Sequence, residues 1–367
     1  VEWDEASCGQ LVYLFTEINE HFEGHPEQFF KTILRPDKKR DQTEEKIILG
    51  SIDIGGGTTD LVITEYRLDR AGSSGTGSNV HIVPRQLFRD GFKVAGDDIV
   101  LDVIRHFVLP HFSRALSVAG VKQPETLMSV LCGNHQISKQ DEICRQQLTL
   151  QVFVPIALGI LKRYEQFGLD SHEQQFTFSF KDLMVQSTAS KKVQDFVLNQ
   201  LRLNLGKSDL EFDLHQIGID IDLRELHRMF LSGKMTITES LSALCEVLAH
   251  YPCDMLLLTG RPSRLPGVQA FVRQNLPLHP GRILPMHQYR TGGWFPFHKN
   301  GMIDDPKTTA AVGAMLCMLS STYSITGFFF RVVDLKPYST IRYFGVIDKG
   351  NHISQGDVLY SDIKTLD

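Results

Sequence analysis

Ile47-Ile48-Leu49-Gly50-Ser51-Ile52-Asp53-Ile54-Gly55-Gly56-Gly57-Thr58-Thr59-Asp60-Leu61-Val62-Ile63-Thr64-Glu65-Tyr66 reads as two β-branched strands hinged on a glycine turn. Three successive glycines permit positive φ and let a ligand approach the backbone, and Thr58 and Thr59 place hydroxyl and amide donors just past the bend. Such a turn can cradle phosphate. Side chains alternate along a strand, so Ser51 and Asp53 share one face and Ile52 and Ile54 the other, leaving Asp53 at the mouth of the turn. A carboxylate there can hold a magnesium-bound water. An ordinary hairpin with a Gly-rich turn also satisfies these residues.

The two commoner phosphate loops do not fit. A G-x-x-x-x-G-K-[ST] or G-x-G-x-x-G loop leads into a helix, whereas Leu61-Val62-Ile63-Thr64 continues as strand.

The chain has 367 residues, enough for two or three structural units with an ample core. A net charge of -5 supplies no basic field for nucleic acid or anionic lipid. The longest strongly apolar runs, around residues 152–161 and 310–319, fall short of the roughly 18 residues that span a bilayer, so no membrane span is expected. Six cysteines, at 8, 132, 144, 245, 253 and 317, contain no C-x-x-C pair. That pattern predicts reduced thiols and a cytoplasmic protein. Cys132, His135 and Cys144 could form part of a zinc set, but a fourth ligand and the usual close-spaced pair are missing. The chain opens on Val1 with acidic neighbours and neither initiator methionine nor leader pattern, which reads as a piece of something longer.

Leu11, Leu14, Phe15, Ile18 and Phe22 recur at helical spacing after the small residues Ala6, Ser7, Cys8 and Gly9, and Glu5 begins that patch. Glu5 is either a functional carboxylate or a first-turn acid favoured by the helix dipole. Pro26 and then residues 35–45 read as a polar connection. Residues 71–79 form a Gly/Ser-rich loop, 80–92 resume as strand, and Gly96-Asp97-Asp98 opens a helix. In residues 98–250 strands are predicted at 175–180 and 210–214, and helices at 187–200, 222–229 and 238–250. Asp254-Met255-Leu256-Leu257-Leu258-Thr259-Gly260-Arg261-Pro262-Ser263-Arg264-Leu265-Pro266-Gly267 is a buried strand, a tight turn and a helix start. A flat base could rest on that glycine with Arg261 or Arg264 stacked nearby; a turn without ligand fits as well. Asp305 to Ala314 reads as a capped helix with one face of small residues. Strands are expected again at 328–333, 341–346 and 358–360, with a turn at Asp348-Lys349-Gly350-Asn351.

The D-I-G-G-G-T-T-D run at 53–60 resembles the second phosphate motif of the actin, sugar-kinase and heat-shock chaperone ATPase superfamily. The Gly260 turn resembles its adenosine motif, whose chaperone form reads Gly-Gly-Ser-Thr-Arg-Ile-Pro, with Arg261 in place of the second glycine and Ser263-Arg264-Leu265-Pro266 matching the remainder. The helices at either end of the series resemble its two connecting helices. Over nearly its whole length the chain resembles the bacterial SrfB-type virulence-factor family, through 51–64, 88–98 and 258–268.

The resemblance implies an α/β fold, an actin-like ATPase (ribonuclease H-like) lobe with an inserted α+β subdomain and a C-terminal β tail. Its parts are a linking helix and connection at 1–45, a lobe core at 46–97 and 251–320, an insertion at 98–250, and a β-rich tail at 321–367. It implies ATP and magnesium as ligands. Asp53 would orient or deprotonate water and hold magnesium through water, with Glu5 as the second candidate catalytic residue. Gly55, Gly56, Gly57, Thr58, Thr59 and Asp60 would hold phosphates, and Gly260, Arg261, Ser263, Arg264 and Gly313 would contact the rest of the nucleotide. The first lobe's own phosphate hairpin is not visible in the sequence, so the expected partner is the remaining lobe of the same full-length chain. ATPase activity then belongs to that longer protein, and this stretch alone is expected to be inactive. A non-hydrolysing interaction module, nucleotide-gated or structural, is the alternative.

Overall fold

The computed structural model describes residues 5–36, 45–70, 80–168, 175–184, 188–331, 343–348 and 353–361. The expected polar connection, the Gly/Ser-rich loop at 71–79 and the turn at 348–351 lie wholly or partly outside these. Among the described residues the strands are β1 (Lys46–Ile54), β2 (Thr59–Asp69), β3 (His81–Phe92), β4 (Gln175–Ser179), β5 (Gly218–Asp222) and β6 (Met255–Thr259). They are followed by β7 (Ile283–Pro285), β8 (His298–Lys299), β9 (Met302–Ile303), β10 (Phe329–Phe330), β11 (Tyr343–Gly345) and β12 (Val358–Ser361).

The chain divides into two compact units, Val1–Lys93 with Ala243–Ser263 and Asn275–Asp367, and Val94–Ser242 with Arg264–Gln274. The first unit is built on a six-stranded sheet in the order β10-β3-β2-β1-β6-β7. β1, β2 and β3 form an antiparallel meander, while β6 runs parallel to β1 and β7 parallel to β6. From Ile47 to Ile54 every residue of β1 is buried. A central strand covered on both faces reads as a continuous apolar run, which is why its sequence signal is strong.

Helices Glu5–Phe15 and Thr308–Ser321 pack together on the face that carries Ile47, Leu49 and Tyr66. The other face of β1 meets the end of helix Thr236–Ala249, where Gly50 leaves room for Leu248. A buried polar chain fastens the first helix to the sheet. Tyr66 OH donates to Gln10 Oε1 at 2.7 Å, Gln10 Nε2 donates to Ser51 Oγ at 2.9 Å, and Ser51 Oγ donates to the Ala6 carbonyl at 3.0 Å. At the opposite end of β1, the Asp254 carboxylate accepts from the amides of Arg35 and Ile48 at 3.0 and 2.9 Å. Arg282 Nη1 donates to the Asp254 carbonyl at 2.8 Å, closing that end.

The second unit is mostly helical, with one hairpin of β4 and β5. Two of its helices carry a π turn that ends two residues before a proline: Ile104–Val108 ahead of Pro110, and Thr149–Phe153 ahead of Pro155. Proline removes one ladder N–H and crowds the preceding turn, and the wider π turn accommodates both effects. The continuous helix Lys139–Tyr164 is, by length and composition alone, long and apolar enough to cross a membrane. Within it Val152, Phe153, Ile156, Ala157 and Ile160 are buried.

Several expectations are corrected. Residues 210–214 form no strand; β5 lies further on and pairs with β4, leaving the earlier alternating run without a partner strand among the described residues. After Pro26 the chain forms helix Pro26–Ile33, with proline in its first turn and Phe29 and Phe30 buried. The first strand of the expected tail, β10, pairs parallel with β3 and is an edge of the main sheet. Residues 264–274, read as lobe core, belong to the second unit, because Gly267 packs there against Tyr164 and Phe230.

Candidate functional site

The glycine turn closes tightly, with the Gly55 amide donating to the Thr58 carbonyl at 2.8 Å. Gly55 and Gly57 both stay outside the left-handed region, so the expected use of positive φ is not what makes these residues glycine. What they provide is bare backbone. Gly56, Gly57 and Thr58 are exposed, and a β-carbon on Gly57 would meet nothing within 4 Å.

Asp53 and Asp60 are direct cross-strand partners on one face. Asp53 is only 9 % exposed. Like charges placed opposite each other cost free energy, and each carboxylate lies against a glycine on its outer side. A β-carbon on Gly91 of β3 would fall 2.5 Å from Asp60 Oδ1, and one on Gly260 would fall 2.6 Å from Asp53 Oδ1. Thr58 Oγ1 also donates to Asp60 Oδ2 at 3.2 Å. Thr59, expected to offer its hydroxyl, is fully buried.

β6 brings the second glycine turn to the same edge. Asp53 pairs with Thr259, so Gly260 follows where β1 gives way to Gly55. Gly260 has φ of 74°, and any side chain on it would collide with the Ile54 carbonyl oxygen. Glycine is required there twice over, by conformation and by space. Ser263 is fully buried, its Oγ donating to the Gly260 carbonyl at 2.6 Å, so it shapes the turn from within. Arg261 is exposed. Arg264 belongs to the second unit, where its Nε lies 3.2 Å from Glu165 Oε2.

Helix Glu5–Phe15 starts at this edge, since Ala6 bonds Ser51 while Gln10 reaches back to the Leu49 carbonyl. Helix Thr308–Ser321 starts there too: the space beside Gly9 is bounded by Thr259 and Thr309. The positive ends of two helix dipoles thus lie at the edge that carries the glycine turn. Glu5 is the first described residue of its helix. Gly313 lies against the Cys8 backbone, at the helix crossing rather than at the turn.

The structure therefore gathers Asp53, Gly55–Asp60, Gly260 and Arg261 at one edge of the first unit's sheet. Sequence reading missed Gln10, Gly91 and Asp254. A glutamine in an otherwise apolar helix and an aspartate opening a run of leucines were the available signals. Among the described residues no group of three or more His, Cys, Asp or Glu side chains could hold a metal ion, and Cys132, His135 and Cys144 form no such set.

Fold and site define a mixed α/β protein whose six-stranded sheet presents a bare glycine hairpin beside a second glycine turn. The family model described as virulence factor SrfB matches residues 1–367, and the chain belongs to that family. No curated protein matches it.

Proposed function

We propose that the chain is a nucleotide-binding lobe of the actin and heat-shock chaperone ATPase kind, taking Mg-ATP with its phosphates on the Gly55–Thr58 turn. The observation that carries this reading is the meeting of that turn with Gly260 at the carboxyl ends of two parallel strands, where open α/β sheets take their ligands. The residues fit a polyphosphate. Backbone at Gly56 and Gly57 is exposed, Thr58 adds a hydroxyl, and two helix N-termini favour negative charge. Asp53 would hold magnesium through water, and the ion would offset the phosphate charge. Bound ATP supplies the phosphoanhydride bond; this chain holds its phosphates and fixes a water.

Turnover needs donors facing the turn from an opposing lobe, so the chain by itself binds nucleotide and hydrolyses it negligibly. The burial of Thr59 and Ser263 favours a second reading, a nucleotide-gated scaffold that does not hydrolyse at all. Calorimetric titration with Mg-ATP tests the site. Gly57→Val puts a side chain into open space without backbone strain, so it should keep the melting temperature and weaken binding by about tenfold or more. Equal affinity of variant and wild type would remove the phosphate role from this turn.

A further inference from the structure

We propose that the β11–β12 hairpin is a self-association surface, packing against the same hairpin of a second copy of the chain about a two-fold axis. The hairpin is closed by its own backbone. Phe344 stands opposite Tyr360 and Gly345 opposite Val358, the Val346 amide donates to the Asp357 carbonyl at 2.9 Å, and the Asp357 amide donates to the Ser354 carbonyl at 2.9 Å. A β-carbon on Gly345 would collide with the Asp357 carbonyl oxygen, so the two strands meet there as bare backbone. The side chains face water instead. Tyr343, Phe344, Val346, Ile347, Leu359 and Tyr360 are each between 56 and 66 % exposed. Successive residues of a strand point to opposite faces, so Tyr343 and Phe344 put an exposed aromatic ring on each face of the hairpin.

A two-stranded hairpin gains little stability alone in water, and these six side chains have no core of their own to enter. Their exposed apolar area is roughly 500 Å². Contiguous patches of a few hundred Å² mark interaction sites, and a standard interface takes roughly 800 Å² from each partner, so the hairpin with its backbone supplies most of one. Charge selects the occupant. Within residues 343–348 and 353–361 the charged side chains are Asp348 and Asp357, and Asp357 accepts from Ser354 Oγ ahead of β12. A two-fold axis brings a patch against itself, which repels where the patch is charged and costs nothing where it is neutral. Phe344 and Tyr360, with ring centroids 6.1 Å apart and tilted by 49°, form a pair that a copy's rings can extend in the same tilted manner. The contact is by faces rather than by edges, because the register shifts between Phe344 and Gly345 and an irregular strand makes a poor edge to pair with.

Sedimentation velocity on the chain from roughly 1 to 100 μM tests this, for wild type, Tyr360→Lys and Tyr360→Glu, with melting temperatures to confirm folding. The expected wild-type result is a monomer–dimer equilibrium with a dissociation constant on the order of 10 μM. Each substitution alone sets like charges together across the axis and should weaken dimerisation by about tenfold or more, while an equimolar mixture of the two variants restores it. A dimer indifferent to both substitutions, or variants that stay monomeric when mixed, overturns the proposal. So does a wild type that is monomeric throughout, which would leave the patch to a different occupant.

Discussion

Gly313 and Cys8 meet backbone to backbone: a β-carbon on Gly313 would lie 2.6 Å from the Cys8 carbonyl carbon and collide with its oxygen. The glycine expected to contact nucleotide is the point at which helices Glu5–Phe15 and Thr308–Ser321 cross. Gly313→Ala should destabilise the first unit by about 2 kcal/mol through overpacking, despite alanine's better helix propensity. An unchanged urea midpoint would show that the crossing can give way.

Asp254 is fully buried and satisfies two backbone amides at the far end of the sheet. Asp254→Ala leaves both donors without their carboxylate and should cost about 3 kcal/mol, with Asp254→Asn losing less. Chemical denaturation of the three proteins measures this. Equal midpoints would contradict the bonding described.

His227 is buried beside the rings of Phe167 and Tyr164, with Tyr164 OH 2.8 Å from its Nδ1. Burial pushes its pKa below the ordinary 6.5. As pH falls through 6.5 the unfolded chain takes up a proton that the folded chain refuses, so this histidine's contribution to stability declines from there down to its folded pKa. His227→Gln should flatten that part of the profile. Melting curves at pH 7.5 and 5.5 that fall equally in wild type and variant would assign the acid sensitivity to other groups.

Asp53→Asn in the full-length protein keeps the side chain's shape beside Gly260 and removes the charge proposed to orient water. Phosphate release should fall by on the order of 10²-fold with binding less affected. Identical release at saturating Mg-ATP would take Asp53 out of the chemistry.

The sheet was legible wherever a strand is buried on both faces or bounded by glycine. The run from Ile47 to Tyr66 gave β1 and β2 nearly to the residue, and the leucines after Asp254 gave β6. The helix starts at Gly96 and near Asp222 were visible because acidic residues stand in or just before their first turns. Residues 210–214 misled because alternation marks an amphipathic strand without naming its partner. The π turns escaped because they answer to a ladder defect rather than to periodicity. At the site, chemistry was readable but accessibility was not. Thr59 and Ser263 have hydroxyls of the right kind, and only the fold shows that both point into packed surroundings.

The sheet ends in β7, three residues closing on Pro285, and in β10, two residues long. On the β7 side the border is brief and finished by a residue that cannot donate, which gives an incoming extended segment little ladder to join there, whereas β10 covers only His81 and Ile82 of β3. Templating of fibrils or domain exchange is thereby discouraged at the β7 border, and the outer edge of β3 is where an added strand would find room.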